Sequence, residues 1–496
     1  MLAIRAARAF DGERLIEGGV LVLTDADRIV AVEPASVSLP DAWPVADFSD
    51  STVLPGLIDT HVHLCADSRD GALDRIAGYD DATLGEVIAL GLRRQLAAGV
   101  TTVRDLGDRG YAALGWRQSV QEGAAPFPGP TILASGPPLT SRRGHCWHLG
   151  GEAEGLDGLR LAVSERAHHQ VDVVKIMASG GVYTPGTDVT RCQYAADELS
   201  LVVEQAHALD LPVTAHAHGL PAVDQAVRAG VDGIEHCSCL TPSGLELPDR
   251  LLDALATAQI AVCPTLGRTP GAVPPPALLA LMQRTGFTFE ARRQLAGRMH
   301  RAGVVLVAGS DAGISAGKPH GILPAAAADL VAGGVPAAPA LAAATRRHLH
   351  RRAGLWTRPP QGSTPDRLRR RPAVGAGQRA GRHIRAAPGH RRHAPRRDDR
   401  PRALIQASAR NPSRVAPGRA RPGRLPRPAA RRGPPPGPHR AISRSRRSGA
   451  SRPPSDQIRH RPPNAGPPPG SAASGLFSGR RGPPAGHSRS GLSDPL

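Results

Sequence analysis

From Val53 onward the chain repeats one grammar eight times, a short apolar run of strand type followed by a segment with helical periodicity. The runs read GLIDTHVHL, TTVRDLG, TILASG, VVKIMASG, PVTAHAHG, GIEHCS, AVCPTLG and VVLVAGSDAG. Between them lie stretches such as LGEVIALGLRRQLAAG, ELSLVVEQAHALD and AVDQAVRAG, the last closing on Gly230 as helix C-termini often do. Strands that are apolar throughout need cover on both faces, which alternating helices provide. Eight such units over residues 53–345 predict an α/β fold, a (β/α)8 TIM barrel. A doubly wound open sheet is the competing topology, but no Gly-x-Gly-x-x-Gly follows the first run.

The flanks differ from this middle. Residues 1–52 alternate short β-type runs (GGVLVLTD, RIVAVEP) with turn residues, which predicts a small antiparallel sheet, the N-terminal part of a small β-sandwich domain. Residues 346–496 hold 36 Arg, 5 Asp, no Lys and no Glu, a net charge of +31, whereas residues 1–345 carry −12. The formal charge of +19 thus describes no single folded body. The Arg/Pro-rich tail lacks the hydrophobic periodicity needed to bury a core and is expected to be disordered. Its positive charge suits phosphate binding, but with only Trp356 and Phe477 for stacking, nucleic-acid binding is the less favoured reading.

No apolar run reaches the length of a membrane span, and MLAIRAARAFDGERL has no continuous apolar core of signal-peptide type. Cys65, Cys146, Cys192, Cys237, Cys239 and Cys263 are scattered without the density of a disulfide scaffold. These features predict reduced thiols in a cytoplasmic protein.

The ionisable residues gather at the C-terminal ends of the runs. His61 and His63, at i and i+2, point to the same side of the first strand. Lys175 closes the fourth run, His216 the fifth, His236 the sixth and Asp311 the eighth. In a barrel these ends converge on one mouth. Single histidines are more often structural, and His168, His169, His207 and His300, in helical stretches, are read that way. His-x-His alone is weak; six residues at five strand ends are not. His218, in AHAH, shares the side parity of His216 and competes with it as a ligand.

Lys175 stands out because the chain has only two lysines, Lys175 and Lys318. An ammonium has no lone pair for a metal. A primary amine whose pKa is lowered by burial can instead add carbon dioxide and present two carbamate oxygens, which a permanently protonated guanidinium cannot do. A buried lysine paired with a carboxylate is the plain alternative.

VLPGLIDTHVHL, GVTTVRDLG, VVKIMASGGVYTPGTD, AHAHG, GIEHCS and GSDAG together resemble the amidohydrolase superfamily, and within it the imidazolonepropionase-like branch that includes Xaa-Pro dipeptidases. The resemblance covers about residues 1–345. It implies two divalent metal ions, usually zinc: His61, His63 and Asp311 on one, His216 and His236 on the other, and carbamylated Lys175 bridging both. Imidazolonepropionase itself resembles a mononuclear version without that lysine, so Lys175 argues against its activity; deaminases are disfavoured likewise.

The expected chemistry is amide or peptide hydrolysis of a dipeptide or N-acyl amino acid by a metal-bridging hydroxide, with Asp311 moving the proton to the leaving nitrogen. Lactonase, cyclic amidase or organophosphate hydrolase activity would use the same site. By analogy with the dipeptidase branch, Tyr183 and His145, on loops after the fourth and third runs, are candidates to hydrogen-bond the scissile carbonyl or a terminal carboxylate. The partner is a small molecule or dipeptide, and a homo-oligomer is compatible with the sequence. The resemblance also expects a last barrel helix and further strands of the small domain where the Arg-rich tract begins. That tract therefore reads as an out-of-frame translation, and the chain as written is expected to fold poorly or to lose much activity.

Overall fold

The computed structural model describes residues 1–26 and 28–345. The Arg/Pro-rich segment 346–496, with the expectations of disorder and a shifted reading frame, lies outside the described residues.

The chain opens with β1 (Leu2–Phe10), β2 (Leu15–Ile16), β3 (Val20–Asp25), β4 (Arg28–Pro34) and β5 (Val45–Val53). They form one sheet in the order β2-β1-β3-β4, with β5 on the free side of β1. The first four strands pair antiparallel, but β5 runs parallel to β1. This corrects the antiparallel expectation. The connection after β4 carries the chain back along the sheet before β5 begins, so β5 can enter only in the direction of β1. Residues 1–53 supply one layer of the small domain, and the strands expected to complete a sandwich fall in 346–496, outside the described residues. β3 is covered on both faces, with Leu21 and Leu23 packed against Ala3, and Val20 against Ala6 and Ala9. On β4, Ile29 and Val32 remain 66% and 45% exposed.

The eight predicted runs are all strands: β6 (Leu57–Val62), β7 (Val100–Asp105), β8 (Thr131–Ala134), β9 (Val174–Met177), β10 (Val213–Gly219), β11 (Gly233–Thr241), then a two-residue hairpin partner β12 (Gly244–Leu245), β13 (Ala261–Cys263) and β14 (Val305–Leu306). β6, β7 and β8 form one parallel sheet, and β9, β10, β11, β13 and β14 pair in parallel in sequence order in another. The sheets meet at both edges. Beyond β8, Leu139 bridges Ile176 in parallel, with Leu139 N–H donating to Lys175 O at 2.8 Å and Met177 N–H to Leu139 O at 2.8 Å. Beyond β14, Ala312 bridges Val62, and Thr60 N–H donates to Ala308 O at 3.1 Å.

Eleven α-helices cover these strands among the described residues. α1 is Ala72–Ile76, α2 Asp81–Ala97, α3 Ala112–Gln121, α4 Gly155–His168, α5 Ala196–Ala208 and α6 Leu220–Ala229. They are followed by α7 Asp249–Thr257, α8 Pro276–Thr285, α9 Phe289–Arg301, α10 Leu323–Ala332 and α11 Ala337–Thr345. Local chemistry sets several ends. Asp80 caps α2 by accepting from Thr83 N–H at 2.8 Å, and Thr288 caps α9 by accepting from Ala291 N–H at 3.0 Å. α6 ends on Gly230 at φ 76°, as its sequence predicts. The main core joins strand residues such as Ile132, Val174 and Val262 to helix residues such as Leu92, Val202 and Leu255, all essentially inaccessible. No helix among the described residues is long and apolar enough to cross a membrane.

Gly309 sits where the segment after β14 closes on β6. A Cβ there would lie 2.6 Å from Cys263 Sγ and 2.8 Å from both His61 Cβ and Thr60 Oγ1. Gly309→Ala is expected to cost about 1–3 kcal/mol through overpacking. Gly115→Ala, in α3 with nothing within 4 Å of the added carbon, should be neutral or mildly stabilising. Equal denaturation midpoints for the two variants would contradict this packing.

Candidate metal centre

Backbone conformation at the strand ends decides which side chains reach the mouth. His236, Cys237 and Cys239 on β11 have φ of 68°, 45° and 49°, and Thr265 and Asp311 have 45° and 59°. Residues with a Cβ avoid this left-handed region, and such strain collects at functional sites. On β11 it breaks the strict alternation of side chains, so Glu235 and His236, neighbours in sequence, are both buried beside His61.

His61, His63 and Asp311 form the first group. His61 Nε2 lies 3.3 Å from His63 Nε2, and the two nitrogens lie 3.4 and 3.3 Å from Asp311 Oδ1. The opposite face of each ring has an acceptor. His61 Nδ1 is 2.8 Å from Glu235 Oε2, and His63 Nδ1 is 3.2 Å from Gly107 O. Those acceptors assign the ring protons to Nδ1 and leave both Nε2 lone pairs aimed at the same point as a carboxylate oxygen. Burial and the Lys175 charge lower the His61 pKa to about 4. Burial alone would raise Asp311, but His61 and His63 hold it well below the usual carboxylate range. Asp311 is therefore an anion.

His216, His218 and His236 form the second group. His216 Nε2 is 3.1 Å from Gly180 O, which leaves its Nδ1 lone pair available. His236 and His218 use Nδ1 toward Thr265 Oγ1 at 2.9 Å and Ser238 Oγ at 3.0 Å. Burial pushes all three below the ordinary imidazole range, His218 to about 3. His216 and His218 both stand beside His236, with ring centroids 4.5 and 4.3 Å away, so the structure keeps both in the cluster.

Lys175 lines the same cavity. Its residue is 1% exposed, and its Nζ is buried with no hydrogen-bond partner. Burial, aided by the Arg104 charge and opposed by Glu235, lowers its pKa to about 8. This orphaned amine shares one cavity wall with both clusters, and a buried amine without a partner is compatible with modification to a carbamate. Facing imidazole and carboxylate donors match the ligand preferences of zinc. The residues thus fit a pair of divalent ions. A third grouping, His61 with Glu235 and Cys263, fits poorly, because Glu235 is already committed to other partners and burial drives the Cys263 thiol well above its ordinary range.

Several residues of the site carry weak sequence signals. Glu235 Oε1 accepts from Arg104 Nη2 and Thr214 Oγ1, both at 2.7 Å, while Oε2 faces His61. Strand alternation would have turned Glu235 away from His236. Lys318, the second lysine, is buried with Nζ donating to Thr265 O, Leu266 O and Ser310 O at 2.7, 3.1 and 2.9 Å. Arg268 and Arg292 also line the cavity, Arg292 from a helix whose sequence shows only amphipathic spacing. His145 is buried against His216, with Nδ1 2.8 Å from Thr184 Oγ1, and Tyr183 lies on the cavity wall. His320 donates from Nε2 to Ala66 O at 3.1 Å and does not line the cavity.

Residues 52–347 match the model of the amidohydrolase family. An ochratoxinase from Aspergillus niger is 28% identical over 258 residues, 46% of this chain and 52% of the relative. The chain thus spans about half the length of that curated relative. A prolidase solved with N-methylphosphonate-L-proline superposes with a TM-score of 0.59 at 27% identity, over 71% of this chain and 88% of that one. A Xaa-Pro dipeptidase with bound methionine shares the fold, with a TM-score of 0.60 at 24% identity over 71% and 89% of the two chains.

Removing Arg104 would leave Glu235 buried without its main counter-charge. Arg104→Met is expected to cost about 3–5 kcal/mol, and adding Glu235→Gln should recover part of that loss. Denaturant titrations of the two variants test this, and a cost below about 1 kcal/mol for Arg104→Met would contradict it.

Proposed function

The chain belongs to the amidohydrolase family, and from that premise we propose that it is a metal-dependent hydrolase of an amide or peptide bond in a dipeptide or N-acyl amino acid. The observation that carries this reading is the convergence of His61 Nε2, His63 Nε2 and Asp311 Oδ1 within 3.4 Å of one another, beside the unpartnered Lys175 amine. The two bridged sheets close as a (β/α)8 barrel over residues 53–345, with residues 1–52 as a small accessory domain. In that geometry the strand ends open on one mouth.

His61, His63 and Asp311 would hold one ion, and His216 and His236 a second, with Lys175 carbamylated between them. Zinc is the proposed metal. Bound there, the ions supply Lewis acidity and an activated water at neutral pH. The protein's own groups do the rest. Asp311, held anionic, takes the proton of the attacking water and delivers it to the departing nitrogen. Glu235 and Gly107 O keep His61 and His63 in the tautomer that points Nε2 inward. His216 is placed ahead of His218 because the carbonyl of Gly180 only accepts and so fixes its ring proton on Nε2, whereas Ser238 Oγ can donate or accept and leaves the His218 tautomer open. Tyr183 and His145 overhang the mouth and position the scissile carbonyl. A cytoplasmic location is proposed from the buried free thiols of Cys65, Cys146, Cys237, Cys239 and Cys263.

Turnover of a dipeptide or N-acyl amino acid should cease on chelation and return with zinc. Asp311→Asn should lower kcat by about two to four orders of magnitude, the range of general acid–base catalysis. Wild-type-like turnover of Asp311→Asn would refute the proposed proton transfer. Lys175→Ala should lose bound metal and the signal from isotopically labelled bicarbonate. Full metal content in that variant would refute the bridge.

A further inference from the structure

Among the described residues, neither Arg268 nor Arg292, on the cavity wall, has a carboxylate partner. Their environments differ in a way that separates their roles. Arg292 Nη2 donates to Pro264 O and to Thr265 Oγ1, so this guanidinium holds the loop behind His236. Arg268 has no such commitment. Its Nη2 is buried with no hydrogen-bond partner.

The Arg268 guanidinium is nevertheless held in place. One face lies over the Phe289 ring, with Cζ 4.6 Å from the centroid. The guanidinium also lies against Gly317, where a Cβ would come within 2.6 Å of Nη2 and 3.0 Å of Cζ. A planar cation held against an aromatic ring and a bare backbone, with a buried unpaired N–H, is costly unless an anion completes it. Beside it the cavity wall is apolar, formed by Leu240, Leu278, Leu281, Phe287 and Phe289.

We propose that Arg268 binds the free carboxylate of the residue released by hydrolysis, and that the adjoining wall takes a large apolar side chain on that same residue. The substrates are then N-acyl or N-aminoacyl amino acids ending in a leucine- or phenylalanine-like residue. This deepens the amide-hydrolase reading and rests on it for the turnover arm of its test; the binding arm stands apart from catalysis. The geometry of an Arg–carboxylate pair explains the residue type, because a guanidinium offers two parallel donors to two oxygens.

The test uses the full-length, zinc-loaded chain and calorimetric titration with L-phenylalanine, L-phenylalaninamide and glycine. Wild type is expected to bind phenylalanine about ten- to a hundredfold more tightly than the amide, the scale of a charge-assisted hydrogen bond. Glycine should bind more weakly than phenylalanine. Arg268→Met should abolish the preference for the acid. Gly317→Ala, which displaces the guanidinium without changing the charge, should do the same, and thermal melting of both variants checks that they fold. A wild type that binds none of the three ligands or shows no preference for the acid overturns the proposal, as does either folded variant that keeps the preference. Hydrolysis of N-acyl-phenylalanine is measured in parallel. Turnover without acid preference sinks the Arg268 site and spares the hydrolase reading. Acid preference without turnover sinks the hydrolase reading and spares the site.

Discussion

Glu235 carries a carboxylate into a place where it is 1% exposed, and three donors from three other strands converge on it. Arg104 comes from β7, Thr214 from β10 and His61 from β6. Burial would raise the Glu235 pKa, but Arg104 and then His61 outweigh it and hold the group well below the usual carboxylate range. A buried charge persists only when its partners meet it with good geometry, and here those partners tie together strands from both sheets. The same contact orients His61: with Glu235 on Nδ1, the ring can offer only Nε2 to the mouth. The polar link that joins the sheets and the one that aims the first imidazole are thus one carboxylate.

Around that link, the backbone is bent to serve the site. Left-handed φ values at His236, Thr265 and Asp311 place side chains at the strand ends that ordinary alternation would scatter. The cost of such strain must be met by neighbouring contacts. Lys318 supplies three of them, its ammonium donating to the carbonyls of Thr265, Leu266 and Ser310, which flank two of the strained positions. Burial lowers its pKa to about 7, yet it touches only backbone oxygens, so it reads as a positioning group. Gly309 and Gly317 act through absence, the first letting β6 and the segment after β14 close, the second letting Arg268 lie flat.

Much of this was legible in the sequence because periodicity and chemistry reinforced each other. The eight apolar runs became the eight strands, and His61, His63, Lys175, His216, His236 and Asp311 all line one cavity. The same logic failed where the backbone departs from the ideal. Glu235 pairs in register with His216 and faces inward by alternation, and its neighbour His236 joins it on that side only because it takes a positive φ, which no sequence rule announces. Arg268 and Arg292 sit on a loop and a helix where no periodic rule points at the mouth. His218 could not be separated from His216 by parity, and the structure keeps both rings beside His236. The small sheet was read as antiparallel because its runs and turns resemble hairpins, and the parallel return of β5 has no local signature.

The central claim is that six side chains from five strand ends hold a pair of metal ions with Lys175 between them. Anomalous X-ray diffraction of zinc-loaded crystals, collected on both sides of the zinc absorption edge, tests it directly. The account predicts two peaks, one among His61, His63 and Asp311 and one at His216 and His236, with density extending from Lys175 Nζ to both. A single peak, or two peaks with an unmodified Lys175 pointing away, would contradict it.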